Sequence, residues 1–351
     1  MATAYWTVAP GRGELRRHEI ARPAPGEVLV RTLHSGISRG TELLLHGGHV
    51  PASVRTLMRA PFQEGDLPGP VKYGYLSVGV VEDVAADAVT AVADLLGRVV
   101  FCLYPHQDRY VVAANAVTAV PAEVPPDRAV LAGTVETAVN AAWEAAPRLG
   151  DRIAVIGAGM VGCAVAAVLR SFPLGRLEIV DVDPARRTVA ERIGVPFRSP
   201  AEASDDCDLV LHCSASAAGL NRGLELLGDE GELIELSWYG DREIGLNLGG
   251  AFHARRLSVR ASQVGAVAAA RRARRSRADR MNLALDLLRD PVFAELITSR
   301  GPFSEMPHVM HRLADGSSSG LCHVLDYAST GRAVQSPVEE DRCTESPSAA
   351  T

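Results

Sequence analysis

One hexapeptide constrains this chain more than any other feature. Gly157-Ala-Gly159-Met160-Val161-Gly162 follows an apolar run, Ile153-Ala-Val-Ile156, and opens another, Cys163-Ala-Val-Ala-Ala-Val-Leu169. A glycine-rich turn between strand and helix is the geometry of a dinucleotide-binding βαβ unit. The first glycine permits the tight turn, the second lets a pyrophosphate approach the backbone, and the third lets helix pack on strand. Free N–H groups and the dipole at the helix start then hold the phosphates. The next strand, Leu177-Glu-Ile-Val-Asp181, ends in a carboxylate 19 residues past Gly162. Asp181, with Val182 beside it, is placed to meet the adenosine ribose and to repel a 2′-phosphate, so NAD(H) is expected over NADP(H). Arg186 and Arg187 soften that repulsion without reversing it. The plain alternative is a doubly wound domain that binds a nucleotide only for structure or regulation.

Around this motif the rhythm of the chain changes once. Up to about residue 125, short strands are broken by Gly and Pro: Glu27-Val-Leu-Val-Arg-Thr-Leu, Leu76-Ser-Val-Gly-Val-Val-Glu, Arg98-Val-Val-Phe-Cys-Leu and Arg109-Tyr-Val-Val. That spacing predicts a mostly antiparallel β domain. From about Pro126, Ala-rich helical segments alternate with short apolar strands, which predicts a parallel sheet covered on both faces. With 351 residues, two domains are expected. The 36 Lys+Arg against 42 Asp+Glu give a net charge of −6, which argues against a nucleic-acid footprint. Six arginines between Arg271 and Arg280 read as a solvated helix face. Met1-Ala-Thr-Ala-Tyr-Trp has neither the basic stretch nor the apolar run of a secretory signal, and no long uncharged apolar run occurs. A cytoplasmic protein without membrane spans is expected. The six cysteines are scattered, and reduced buried thiols are the natural reading. Residues 328–351, rich in Ser, Thr, Pro and Glu, read as a disordered tail.

Four segments in order resemble the medium-chain dehydrogenase/reductase family, which includes zinc alcohol and polyol dehydrogenases. Ser35-Gly-Ile-Ser-Arg-Gly-Thr-Glu42 looks like the family's G-I-C-x-T-D segment, and Gly74-Tyr-Leu-Ser-Val-Gly-Val-Val81 like G-H-E-x-x-G-x-V. Gly133-Thr-Val-Glu136-Thr-Ala-Val-Asn resembles G-A-L-x-E-P of the polyol enzymes, and the nucleotide motif follows at the family's distance. The resemblance covers roughly residues 20–327. It implies an α/β chain with a GroES-like β-barrel catalytic domain over 1–133, completed by about 290–327. A Rossmann doubly wound parallel-sheet NAD-binding domain over 134–289 and a cleft between the two complete the picture. Hydride transfer between an alcohol carbon and nicotinamide, and a homodimer, are also implied by the family alone.

The departures from the family shape the mechanism. Where zinc-using members place a Cys, this chain offers Ser38 or Arg39, depending on a one-residue shift in alignment. Tyr75 stands at the His position and Leu76 at the Glu position. Only Glu136 survives of the polyol-type ligands, and a catalytic zinc needs about three. Between Glu82 and Pro125 only Cys102 occurs, so the structural-zinc lobe is missing as well. A zinc-free member is expected; His46 and His49 with Glu136 are the remaining metal option. Without zinc, a hydrogen-bond donor or general acid must cover the charge on the substrate oxygen. Tyr75 is the first candidate, its pKa lowered by Lys72, the chain's only lysine, or by Arg39, with Ser38, Thr41 and Glu136 positioning the substrate. His106 and Asp108 form a second possible pair. Strand ends carrying His212 and Ser214, Ser237 and Trp238, and Gln263 should approach the cofactor. The reading is an NAD(H) oxidoreductase acting on a secondary alcohol or ketone of a small polar, polyol or ring-bearing metabolite. A quinone or enone reductase, or a silent nucleotide-binding protein, are the alternatives.

Overall fold

The computed structural model describes residues 1–327 apart from Asp87; the tail expected over 328–351, Cys343 included, lies outside the described residues. The nucleotide half is a six-stranded, all-parallel sheet. Numbered along the chain from Arg152–Ile156, its strands lie in the spatial order 3-2-1-4-5-6. That order comes from two βαβαβ halves wound in opposite directions from the first strand. The helices Ala132–Ala145 and Met160–Leu169 pack together in one apolar cluster that includes Ile153 and Val155 of the first strand. Small residues make this close packing possible: Ala138, Ala141, Ala142, Ala164, Ala166 and Ala167 all sit in that cluster.

The other half is built on the long strand Glu27–Ser38, which pairs antiparallel with Ser77–Val84, Arg109–Ala113 and Cys322–Asp326. A strand from the far end of the described chain is therefore central to the first domain's sheet. Strands Ala2–Ala9 and Arg12–His18, which periodicity alone does not announce, form a separate small sheet with Val71–Lys72 and Glu64–Gly65. The register between Ser77–Val84 and Val99–Cys102 carries Tyr75 and Leu76 to the lip facing the nucleotide domain, where Leu76 joins the cluster formed by helix Ala132–Ala145.

One expectation changes and one holds. The arginine run does not form one solvated face: the helix starts at Arg277, and Arg280 is 1% exposed. The five cysteines among the described residues are free thiols, four of them buried. Among the described residues, no helix is long and apolar enough to cross a membrane.

Candidate active site

The glycine turn has the shape a dinucleotide requires. Gly157 takes φ +101°, and a Cβ on it would lie 2.7 Å from the Ser214 nitrogen. A Cβ on Gly162 would lie 1.9 Å from the Gly157 carbonyl oxygen. Gly159, by contrast, faces open space, leaving room above the start of the Met160–Leu169 helix. The residues present therefore fit a pyrophosphate cradled at a helix N-terminus. Asp181 closes the turn from the neighbouring strand, accepting from the Ala158 N–H at 2.6 Å and the Asp183 N–H at 2.8 Å. Each carboxylate oxygen keeps a lone pair for a further donor. Arg186 is turned to Asp183 and the Ser319 carbonyl, and Arg187 stacks on Phe197 at 4.8 Å. Val182 is 83% exposed at the rim, Met160 is buried and accepts a long contact from Thr134, and Val161 packs on the core.

The strand ends bear a second polar group. His212 Nδ1 lies 2.9 Å from both oxygens of Glu235, and its Nε2 lies 2.7 Å from Ser214 Oγ. Tyr239 and the Ser237 amide also donate to Glu235, at 2.9 and 2.7 Å. Burial pushes the Glu235 carboxyl up, but these bonds outweigh it and hold the group below the usual carboxylate range. Trp238 reaches across to the Leu67–Val71 cluster of the first domain, and a Cβ on Gly240 would lie 2.5 Å from the His49 carbonyl oxygen. The loop after this strand thus packs against the first domain. Gln263 is exposed and folds back on its own loop, accepting from the Gly265 N–H at 2.7 Å.

The side chains of Ser38 and Thr41 lie beside the Tyr75 phenol. Burial and the Glu42 charge push the phenol up to about 12, while hydrogen bonds from Ser38 and Thr41 pull it part of the way back. Tyr73 meets the ring edge-on at 5.9 Å. The direction corrects the expectation of a phenol acidified by cations. Lys72 is fully buried and turned away, bonded to Glu64 and to Gln107 at 2.7 Å and lying 5.4 Å over the Tyr104 ring. Arg39, half-buried at the first helical position, makes no ion pair among the described residues.

Glu136 is a second correction. Its carboxylate receives the buried Arg280 Nε at 3.0 Å. Arg280 also donates to Asn140 Oδ1, to the Ala266 carbonyl at 3.1 Å and to the Val264 carbonyl. This carboxylate braces the helix against the loop after the last parallel strand, where it is not free to hold substrate. The metal option fails on the same geometry. His46 turns to Tyr5 at 3.4 Å, His49 to Asp241 at 3.4 Å and Glu136 to Arg280. Two neutral hydroxyls, Ser38 and Tyr75, plus a carboxylate already paired with a guanidinium do not suit a divalent cation. Among the described residues, no group of three or more His, Cys, Asp or Glu is arranged to hold a metal ion.

One constellation goes beyond the sequence reading. Asp108, the proposed partner of His106, accepts the Thr3 N–H instead, at 2.7 Å. His106 Nε2 pairs with Glu42 Oε2 at 2.9 Å, and its Nδ1 lies 2.7 Å from Ser35 Oγ. The available signal was the Ser38-x-x-x-Glu42 spacing: Glu42 reaches back to the Ser38 N–H at 2.7 Å, one turn away, as acidic residues do at helix starts.

The chain carries the two-domain fold of the zinc-type medium-chain alcohol and polyol dehydrogenases. No family model matches it. It is similar to 2R,3R-butanediol dehydrogenase from Bacillus subtilis, with a TM-score of 0.75 at 15% identity over 93% of this chain and 99% of that one. An Escherichia coli CFT073 alcohol dehydrogenase complexed with NADH and a Sinorhizobium meliloti 1021 dehydrogenase bound to NADP each superpose with a TM-score of 0.74 at 16% identity, over 93% of this chain and 99% of theirs. In sequence, it is 22% identical over 273 residues to sorbitol dehydrogenase of Halalkalibacterium halodurans, covering 68% of this chain and 77% of that protein. It is 37% identical over 84 residues to alcohol dehydrogenase-like 7 of Arabidopsis thaliana, so it spans 23% of its own length and 21% of that relative.

Proposed function

We propose that this chain is an NAD(H)-dependent oxidoreductase interconverting a secondary alcohol and a ketone without zinc, with Tyr75 as the proton donor to the substrate oxygen. The observation that carries the reading is the triple-hydroxyl cluster of Ser38, Thr41 and Tyr75, which occupies the segments where zinc-using members of the resembled family place metal ligands. The bound nicotinamide supplies or accepts the hydride. The chain's own residues do the rest. Ser38 and Thr41 orient the Tyr75 phenol and the substrate oxygen, and Tyr75 gives its proton to that oxygen as negative charge builds there. A phenol with a pKa of about 12 enters turnover protonated, which suits ketone reduction at neutral pH and makes alcohol oxidation favour alkaline pH. Asp181, together with Arg186 and Arg187 held elsewhere, supports NAD(H) over NADP(H).

A polyol substrate rested on Glu136, and its pairing with Arg280 withdraws that support. The same pairing removes the mild argument that Glu136 offered against reduction of an activated double bond, which is the second reading. A homodimer joined through the exposed edge strand Ser258–Ala261, acting on a small-molecule substrate in the cytoplasm, belongs to the same proposal. The test is an NAD(H)-linked screen of alcohols, ketones and enones, followed by Tyr75→Phe and metal analysis of the purified protein. Ketone turnover should fall about 10²–10⁴-fold in Tyr75→Phe with NADH binding kept. Full turnover in that variant, or a stoichiometric metal ion in the cleft, would overturn the mechanism.

A further inference from the structure

A carboxylate as deeply buried as Glu42, 4% exposed, is costly unless it is paired and hydrogen-bonded. Both of its oxygens are used, one by the Ser38 N–H at 2.7 Å and one by His106 Nε2 at 2.9 Å. An ionised Glu42 takes its hydrogen from Nε2, which leaves Nδ1 of a neutral His106 to accept the Ser35 hydroxyl at 2.7 Å. Ser35 in turn accepts the Tyr327 phenol at 2.9 Å. With that tautomer, every hydrogen in this chain points toward Glu42.

The other end of the pair lies against the backbone that leads into Tyr75. The His106 backbone N–H donates to the Tyr73 carbonyl at 3.3 Å. Gly74, at φ +132°, is a glycine for a visible reason: a Cβ there would lie 2.7 Å from His106 Cδ2. The imidazole therefore rests on the peptide that leads into Tyr75, while Glu42 pins the backbone of Ser38 on the other side. The titratable groups facing the pair are Tyr5 with His46, Tyr73, Tyr75, Cys322 and Tyr327. Burial first, and the Glu42 charge in addition, push Tyr5, Tyr73, Tyr75, Cys322 and Tyr327 all upward.

We propose that Glu42 and His106 are the positioning pair of this site, fixing Ser38 beside the Tyr75 phenol and keeping a negative charge behind it so that Tyr75 stays a proton donor. This rests on Tyr75 as the donor, yet it can be tested apart from activity. The phenol is followed by ultraviolet difference titration, the intact protein against Tyr75→Phe, and ketone reduction is followed against pH. In the unsubstituted protein Tyr75 should titrate more than one unit above an ordinary phenol; titration near pH 10 overturns the proposal even if every variant misfolds. Glu42→Gln should lower both the titration midpoint and the alkaline limb of kcat by about one unit or more, with NADH affinity unchanged. His106→Leu should lower kcat at least tenfold at constant KM, and His106→Gln, which can still donate to Glu42, should restore most of it. A folded Glu42→Gln protein in which neither midpoint moves overturns the pair and leaves the proposed reaction standing. Full turnover in Tyr75→Phe alongside a shifted titration in Glu42→Gln sinks the reaction and keeps the pair.

Discussion

Arg280 is the most informative residue to remove. It is among the largest fully buried side chains of the described residues, and its guanidinium serves four acceptors: Glu136, Asn140 and the carbonyls of Val264 and Ala266. In Arg280→Ala, Asn140 Oδ1 keeps the Ala268 N–H at 3.0 Å. Glu136 is left as a buried carboxylate with no other counter-charge at bonding distance among the described residues. Breaking a buried pair on one side costs about 3–5 kcal/mol. At roughly 2–4 °C per kcal/mol for a unit of this size, the melting midpoint should fall by roughly 6–20 °C. Arg280→Met with Glu136→Leu, which removes both charges, should recover most of that loss, because apolar replacements of buried pairs are often near neutral. Burial holds the Glu136 proton more tightly in the folded state than in the unfolded chain, Arg280 offsetting only part of the effect. The native protein should therefore lose this contribution as pH rises from the ordinary carboxylate range through the raised folded value, and Glu136→Gln should flatten that slope. Denaturant melts of the four proteins at pH 4–8 provide the measurement. An Arg280→Ala protein within 1 kcal/mol of the parent would refute the brace.

Three further outcomes follow from the cleft. Gly162→Ala places a methyl 1.9 Å from the Gly157 oxygen, so NADH affinity measured by fluorescence should fall at least tenfold, with a stability loss of about 1–3 kcal/mol. Asp181→Ser removes the carboxylate that disfavours a 2′-phosphate, so the NADPH to NADH affinity ratio should rise by about tenfold; an unchanged ratio would place the ribose elsewhere. With Tyr75 pushed up to about 12, reduction should be flat from pH 6 to 9 and oxidation should climb over the same range, read from initial rates in each direction.

Legibility in the sequence depended on how far apart the partners lie. The nucleotide domain was readable because each of its signals is local: a strand, a glycine turn and a helix within 20 residues, then a carboxylate at the next strand end. The Ser38–Thr41–Tyr75 grouping was readable through two motif segments of the resembled family. What failed was pairing across distance. Arg280 lies 144 residues from Glu136, and the arginine run around it has the composition of an exposed face. His106 lies 64 residues from Glu42, while Asp108, only two residues away, offered a false partner whose carboxylate is taken by the Thr3 N–H instead. Lys72 misled for a related reason: three residues from Tyr75 in sequence, it belongs to another strand whose alternation buries it against Glu64 and Gln107.

The strand Cys322–Asp326 lies between Ile297–Pro302 and Glu27–Ser38, so the first half of the chain to leave the ribosome is the last to be completed. Until about 300 further residues have been made, the His34–Ser38 end of that strand keeps unpaired amides and carbonyls on one flank, a surface that recruits other strands. A truncation shortly before Cys322 would leave the nucleotide domain its full parallel sheet while condemning its neighbour to aggregate. Synthesis of this protein thus carries a built-in interval of vulnerability that ends only when the chain's distant end returns to its beginning.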